Sequence, residues 1–267
     1  MDSSKMILFS KKKDRRMKGR QRLQKIDVSV LSRVVAFAEN VMPLSGYSAF
    51  RVKLITSAAK KYADGIANCE PYYLLIFAGE EDRKYLNGGY AAGQTAAFLR
   101  FLGLQARVMA SVPGWMRDEQ KGERCVAAVA FGQTVPDKHH KHKEENHEFP
   151  CICREFSDHW DEEVLELAKE KYPLHLANIR IVRENHCICL MQKSLVGKKT
   201  QIAEFEAGVA AAQLMAAAEE LWIDLTTINL GEPRCLVSLC RKRDLTDLEK
   251  AKRKGMIEQM PPVLKAL

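Results

Sequence analysis

Long apolar runs are missing from this sequence: none approaches the ~20 residues that a membrane-spanning helix requires. The short apolar stretch Met6–Phe9 cannot form the core of a secretion signal, and lysines follow it rather than precede it. Eight cysteines in 267 residues are too sparse for a disulfide scaffold, so we expect them to be reduced. A Ser/His/Asp or Cys/His catalytic pattern is also missing. The lack of a membrane-length run, of a secretion signal and of a disulfide scaffold predicts a cytoplasmic protein with no membrane segment.

The composition favours a folded globular chain, with 46% hydrophobic and 28% charged residues. The net charge of +8 lies in residues 1–25, which contain ten Lys or Arg and two Asp, while the remaining 32 basic and 32 acidic residues cancel. A general nucleic-acid-binding protein would spread basic residues over a folded face, so we do not expect nucleic acid as a partner. Nucleic-acid binding through the arm alone stays an alternative, and it predicts an affinity that falls steeply with salt.

One helix rich in small residues occurs twice, 119 positions apart. In Gly89–Gly103 the helical spacing places glycines and alanines on one face, which lets another backbone approach closely. Gly208–Trp222 repeats that face. Six pairs of residues are identical: Gly89/Gly208, Ala91/Ala210, Ala92/Ala211, Gln94/Gln213, Ala97/Ala216 and Leu102/Leu221. We expect the two helices to pack on each other about a pseudo-twofold axis, as in an intramolecular version of a symmetric dimer.

Each half of the chain is predicted to contain the same five elements in the order helix, strand, strand, helix and strand. In the first half, Asp27 is a predicted N-cap for an amphipathic helix, residues 50–55 alternate as in a strand, and residues 72–78 read as a buried strand. The second half retraces these elements with fewer residues. We therefore predict an α+β fold in five segments: a basic arm (1–25), a first half (26–135), a linker (136–155), a second half (156–243) and a charged tail (244–267).

Three stretches resemble the FMN-dependent nitroreductase family, particularly its branch in which two nitroreductase-like halves are fused in one chain. Asn87–Leu104 is similar to the family's central helix, Glu70–Ile76 to its proline-aromatic strand start, and Phe205–Gln213 to the opening of its second helix. The resemblance implies a nitroreductase-like fold with FMN between the halves. It also implies NAD(P)H as the electron donor, a small-molecule substrate, and either a pseudo-dimeric monomer or a homodimer.

The family holds the FMN phosphate with an N-terminal arginine clamp. In this chain the clamp would fall on Arg15 and Arg16, with Lys18 or Arg20 in place of the third arginine. Met17 replaces the hydroxyl that the family has between them. The phosphate clamp implied by the resemblance is therefore similar to the family's without being identical to it.

Further FMN-binding residues are implied elsewhere in the chain. The family's basic residues after the last strand correspond to Arg241 and Arg243. Where the central helix ends, the chain reads Gln105–Val108 in place of the family's Gly-Thr-Cys-Trp. The other implied FMN-binding residues lie at the strand start and at the two helix openings: Asn68, Pro71, Tyr72, Gly88, Gly89, Glu206 and Gly208.

Two other functions stay open. The departures at Met17 and after Gly103 favour a flavin-free member of the fold, which would bind a small ligand or a partner in the cleft where the family binds its flavin. The His-rich segment 139–147, followed by Cys151 and Cys153, could chelate zinc or a softer metal. Its spacing is not that of a zinc finger, and we favour a polar linker. A separate pair, Cys187 and Cys189, is predicted to lie on one face of a strand as small hydrophobic side chains.

Overall fold

The computed structural model contains two mixed units that pack through one helix from each. It describes residues 25–46, 49–56, 72–110, 119–132, 151–153, 159–172, 176–184, 187–193, 198–229 and 232–242. Within these ranges the chain forms four helices and nine strands. Each helix in this part of the chain is too short or too polar to cross a membrane.

The first unit is a four-stranded antiparallel sheet with two helices. The sheet has the strand order β1-β2-β4-β3. The carboxylate of Asp27 accepts a hydrogen bond of 2.7 Å from the Ser29 amide, which confirms the predicted N-cap of α1. The elements are α1 (Val28–Glu39), β1 (Arg51–Thr56), β2 (Tyr72–Ala78), α2 (Lys84–Phe101), β3 (Gln105–Met109) and β4 (Arg124–Gly132).

The second unit has a five-stranded sheet of order β5-β6-β7-β9-β8 and two helices. Residues 151–153, which we predicted as part of the linker, form β5 and pair in parallel with β6. We did not predict β3 or β8, whose side chains are at most half-buried. The elements are β5 (Cys151–Cys153), α3 (Trp160–Lys171), β6 (Ile179–Glu184), β7 (Cys187–Gln192), α4 (Lys198–Glu220), β8 (Leu225–Ile228) and β9 (Cys235–Arg241).

Apart from β5, the two sheets share one strand order and one register. The order β1-β2-β4-β3 corresponds to β6-β7-β9-β8. The pairing of β2 with β4 shifts by one residue next to Phe77, and the pairing of β7 with β9 shifts by one residue next to Met191. Phe77 then pairs with Cys125, and Met191 pairs with Cys235. This shared irregularity identifies which residues of the two units correspond.

Helices α2 and α4 form the main contact between the units. A methyl group on Gly89 would lie 3.0 Å from the carbonyl carbon of Phe205 and closer still to its oxygen. A methyl group on Gly208 would meet the carbonyl of Leu86 in the same way. Because Phe205 lies 119 positions after Leu86, as Gly208 does after Gly89, the contact is reciprocal, as in a twofold interface. The predicted packing of the two small-residue faces is confirmed.

The central strands β2 and β7 are buried on both faces, so each reads as an uninterrupted apolar run. One face of the first sheet packs on α1 and α2 through residues such as Leu74, Ile76, Val126 and Val129. The corresponding face of the second sheet packs on α3 and α4 through Ile188, Leu190, Val237 and Leu239. The opposite faces contain Tyr73, Leu75, Phe77, Ala128 and Ala130 in the first sheet, and Val182, Cys187, Cys189, Met191 and Cys240 in the second.

One disulfide corrects our expectation that the cysteines are reduced. Cys187 and Cys240 are bonded across β7 and β9, with their Cα atoms 4.5 Å apart. They are directly opposed in the strand register, and this spacing lies within the range that a disulfide requires. The bond therefore follows from a strand pairing that a count of cysteines does not reveal. Cys187 and Cys189 share one buried strand face, as we predicted.

Candidate functional site

The structure describes six of the implied FMN-binding residues, and they occupy three places. Four of them lie in helices α2 and α4, one lies in the first sheet and one lies at the end of β9. The other implied residues lie outside the described part of the chain: Arg15, Arg16, Lys18, Arg20, Asn68, Pro71 and Arg243. Their assignment to the phosphate and to the flavin ring stays a prediction.

The glycines Gly88, Gly89 and Gly208 are close-packed against protein. A methyl group on Gly88 would lie 2.9 Å from the Val126 Cβ in β4. Gly89 and Gly208 each face the backbone of the opposite helix, so no ring system fits between the helices at these two positions. The contacts of these three glycines account for their lack of a side chain. Their assignment to FMN stays a prediction.

Glu206 secures the chain segment that precedes β6. Its two carboxylate oxygens accept hydrogen bonds of 2.7 Å each from the backbone N–H and the side-chain amide of Asn178. Asn87, which is 119 positions earlier in α2, plays the same part in the first unit. It accepts a bond of 3.1 Å from the Ser45 amide and donates one of 2.9 Å to the Ser45 carbonyl. Asn87 in α2 therefore anchors the segment before β1, and Glu206 in α4 anchors the segment before β6.

Tyr72 joins the start of α1 to the first sheet. Its hydroxyl accepts a hydrogen bond of 3.2 Å from the Ile26 amide, and its ring stacks on Phe131 with centroids 5.5 Å apart. The side chain is buried. In the described residues Tyr72 therefore has a structural contact on each side, and its assignment to FMN stays a prediction.

Arg241 lies in the wall of an open cavity of about 500 Å³ at the end of β9. This volume is within the usual range for small-molecule sites. The cavity is formed where α4 ends and turns into β8, beside the last residues of β9. Its lining consists of Leu221, Trp222, Ile223, Asp224, Arg241 and Lys242.

The cavity has a positive rim. The Arg241 guanidinium lies 5.8 Å from the centroid of the Trp160 ring, which supports the buried cation from one side. The Lys242 ammonium lies 3.0 Å from the Asp224 carboxylate, and both side chains are exposed. The two cations outnumber the single carboxylate. Such a rim suits an anionic group, because guanidinium and ammonium groups both donate hydrogen bonds to phosphate oxygens.

Trp222 presents an indole ring to solvent at the same cavity. It is 95% exposed and has a φ of 60°, in the left-handed region. The corresponding residue at the end of α2 is Gly103, with a φ of 75°. Glycine is the usual residue at this helix end because it has no side chain to strain. The second unit instead places a flat aromatic surface beside two cations, where it could stack on a planar ligand.

Sequence reasoning missed Trp222, Asp224 and Lys242 as site residues. The signal was present in the repeat, because aligning the two helices places Trp222 opposite Gly103. A large residue where the sister helix ends in glycine indicates that something other than helix termination favours it.

The metal hypothesis gains no support from the described residues. Among them, no group of three His, Cys, Asp or Glu side chains is arranged to hold a metal ion. The His-rich segment 139–147 lies outside the described ranges, and Cys151 and Cys153 belong to β5.

Comparison with known proteins bears on the fold. A protein from Thermotoga maritima, whose crystal structure is described as that of a "putative nitroreductase", matches 85% of this chain and 92% of its own length. The TM-score is 0.52 and the sequence identity is 12%. No family model matches the sequence, and no curated protein matches it. At this identity the likeness establishes the architecture alone: the chain has a mixed α+β, nitroreductase-like fold.

Proposed function

We propose that this protein is an FMN-dependent oxidoreductase that passes electrons from NAD(P)H to a small organic acceptor. The observation that carries the proposal is the position of Arg241. It is a described member of the implied phosphate-binding set, and it lines an open cavity with a positive rim. The nitroreductase-like fold supports the same assignment.

The residues of the cavity fit the chemistry of FMN. Arg241 and Lys242 would hold the phosphate by charge-assisted hydrogen bonds, and the Trp222 indole offers a stacking surface for an aromatic ring. FMN, when bound, supplies the redox chemistry by accepting a hydride and passing electrons on. The protein's part is to orient the donor and the acceptor and to stabilise negative charge, for which cations at the rim are suited.

We also propose that the two units are a tandem repeat that forms a pseudo-dimer. The shared strand order, the shared register shift and the reciprocal contact of α2 with α4 support this proposal. The contact between units would then take the place of a subunit interface. Light scattering on the purified chain tests whether it is a monomer or a homodimer.

The proposal is tested by colour and by titration. Protein that retains FMN absorbs at about 450 nm and oxidises NAD(P)H with an acceptor present. Lys242→Ala should weaken FMN binding by about 1.5–3 kcal/mol, the value of a hydrogen bond to a charged group. It should leave the fold unaffected, because the exposed pair with Asp224 contributes little stability. Arg241→Ala should weaken FMN further.

A matched control removes a similar charge elsewhere. Arg33 is exposed on α1 in the first unit, so Arg33→Ala changes the net charge equally without touching the cavity. Equal loss of affinity in Arg33→Ala and Lys242→Ala would mean that only the net charge matters and that the cavity is not the phosphate site.

The close contacts of Gly89 and Gly208 with the backbone of the opposite helix favour a second candidate function. The resemblance places the flavin between the halves, and the helices leave no room for it at these positions. A flavin-free member of the fold would bind another anionic small molecule, or a partner, at the cavity instead. Colourless protein that ignores added FMN would support this candidate over the first.

A further inference from the structure

Four cysteines lie together on one face of the second sheet, which we call the sulfur face. It consists of Val182, Cys187, Cys189, Met191 and Cys240, with Ile228 and Cys235 packed against it. The first sheet has sulfur-free side chains at most of the corresponding positions, where Tyr73 matches Cys187, Leu75 matches Cys189 and Ala130 matches Cys240. The fold therefore does not require sulfur at these places.

Two of these cysteines are already oxidised to the Cys187–Cys240 disulfide. Cys189 and Cys235 carry thiols beside it. Cys189 follows Cys187 by two residues on the same strand face, and it pairs in register with Ser238. The sulfur face thus contains one disulfide and one pair of thiols.

Cys235 is in the better position to react first. Its Sγ lies 3.0 Å from the Ser238 Oγ and donates a weak hydrogen bond of 3.4 Å to the Val237 carbonyl. Cys235 is partly exposed, whereas only 2% of Cys189 is exposed. A thiolate at Cys235 would accept hydrogen bonds from both Ser238 and Cys189, and such donors favour the thiolate form.

The acidity of Cys235 agrees with this geometry. The hydrogen bond from Cys189 and, to a smaller extent, that from Ser238 lower the pKa of the Cys235 thiol to about 7. Burial and the negative charge of Glu232 act in the opposite direction and raise this pKa. A substantial fraction of Cys235 is therefore thiolate near neutral pH.

We propose that Cys189 and Cys235 form a redox-active dithiol site that exchanges with a low-molecular-weight disulfide. The Cys235 thiolate attacks one sulfur of the small disulfide RSSR, forms a mixed disulfide and releases RS⁻, which takes up a proton. The Cys189 thiol then loses its proton and attacks the Cys235 sulfur, which closes the Cys189–Cys235 bond and releases the second RS⁻. Two electrons and two protons pass from the thiols to RSSR, which leaves as two RSH.

This site needs neither FMN nor a nicotinamide, so its test is independent of the proposed function. The full chain is equilibrated in graded mixtures of oxidised and reduced glutathione, quenched in acid and alkylated, and its peptides are mapped by mass spectrometry. We expect a Cys189–Cys235 disulfide in the oxidising mixtures. Cys189→Ala should trap glutathione on Cys235, and Cys235→Ala should leave Cys189 as a thiol.

Cys125 supplies the matched control, because it corresponds to Cys235 in the first sheet. Its Sγ also donates to a carbonyl two residues on, that of Ala127 at 3.6 Å, but its corresponding neighbours are Leu75 and Ala128. At pH 7 we expect iodoacetamide to label Cys235 faster than Cys125 by roughly threefold or more. Cys125→Ala should leave the glutathione results unchanged.

Two results would overturn the proposal. One is that Cys235 is labelled no faster than Cys125 in a chain that circular dichroism shows to be folded. The other is the absence of a Cys189–Cys235 disulfide in every glutathione mixture. The labelling comparison uses the unmodified chain, so it decides the question even where the Cys189 variant does not fold.

Discussion

The substitution Gly208→Ala tests the packing on which the arrangement of the two units depends. A methyl group at this position would lie 2.6 Å from the Tyr90 amide nitrogen and closer still to the Leu86 carbonyl oxygen. Both are backbone atoms inside α2, so neither can rotate away. The two helices must therefore separate to admit the methyl group.

Two opposing effects decide the sign of the change in stability. Alanine has a better helix propensity than glycine by about 1 kcal/mol, which would stabilise α4. Overpacking in a close-packed interior costs about 1–3 kcal/mol, and we expect the upper part of that range because backbone is displaced. Separating the helices also weakens dispersion contacts along their length. We expect a net loss of about 1–2 kcal/mol in the free energy of unfolding.

Thermal unfolding followed by circular dichroism measures this loss. For a chain of this size, the expected fall in Tm is about 2–8 °C. Gly79→Ala is the control, because a methyl group there would only touch the flexible side chain of Glu81, at 3.4 Å. The double variant with Gly89→Ala should lose less than the sum of the single losses, since one separation relieves both clashes. A Tm for Gly208→Ala equal to or above that of the unmodified chain would refute the reasoning.

Two further predictions concern other parts of the second unit. Trp222→Gly should raise the free energy of unfolding by about 1 kcal/mol in urea titrations, because it removes the strain of a left-handed tryptophan that is 95% exposed. The reverse change at the corresponding position, Gly103→Ala, should lower the free energy of unfolding by a similar amount. Burial and the carboxylate of Glu220 raise the pKa of Tyr172 from 10.0 to about 12. The stability that this shift provides is therefore present below about pH 10 and is lost as the pH rises to about 12. Tyr172→Phe should flatten that decline, and an identical pH profile for the two proteins would contradict the assignment.

Several features of the fold were readable in the sequence because they depend on neighbours in the chain. The N-cap at Asp27 is a contact over two residues, and it forms as predicted. The spacing of glycines and alanines in α2 and α4 predicted a close helix pair, since small side chains on one helical face admit another backbone. The buried strands β2 and β7 were visible as apolar runs. Edge strands β3 and β8 were not, because their half-exposed residues lack such a run.

The candidate site was only partly readable. Arg241 was named from a family resemblance, but its neighbours come from the end of α4 and from the turn before β8. These residues are close in space because β8 and β9 are paired. The periodicity of the sequence does not predict which strands pair. The open rim of the cavity therefore became visible only with the tertiary structure.

By itself, the sequence determined the order of the main elements, the two small-residue helix faces and the location of the net charge in the N-terminal arm. The tertiary structure decided the strand register, and with it the Cys187–Cys240 disulfide, the neighbouring thiols of Cys189 and Cys235, and the cavity at Arg241. The physical reason is the range of the interactions. Caps and helical faces arise between residues a few positions apart, whereas register is set by packing of the whole sheet against its helices.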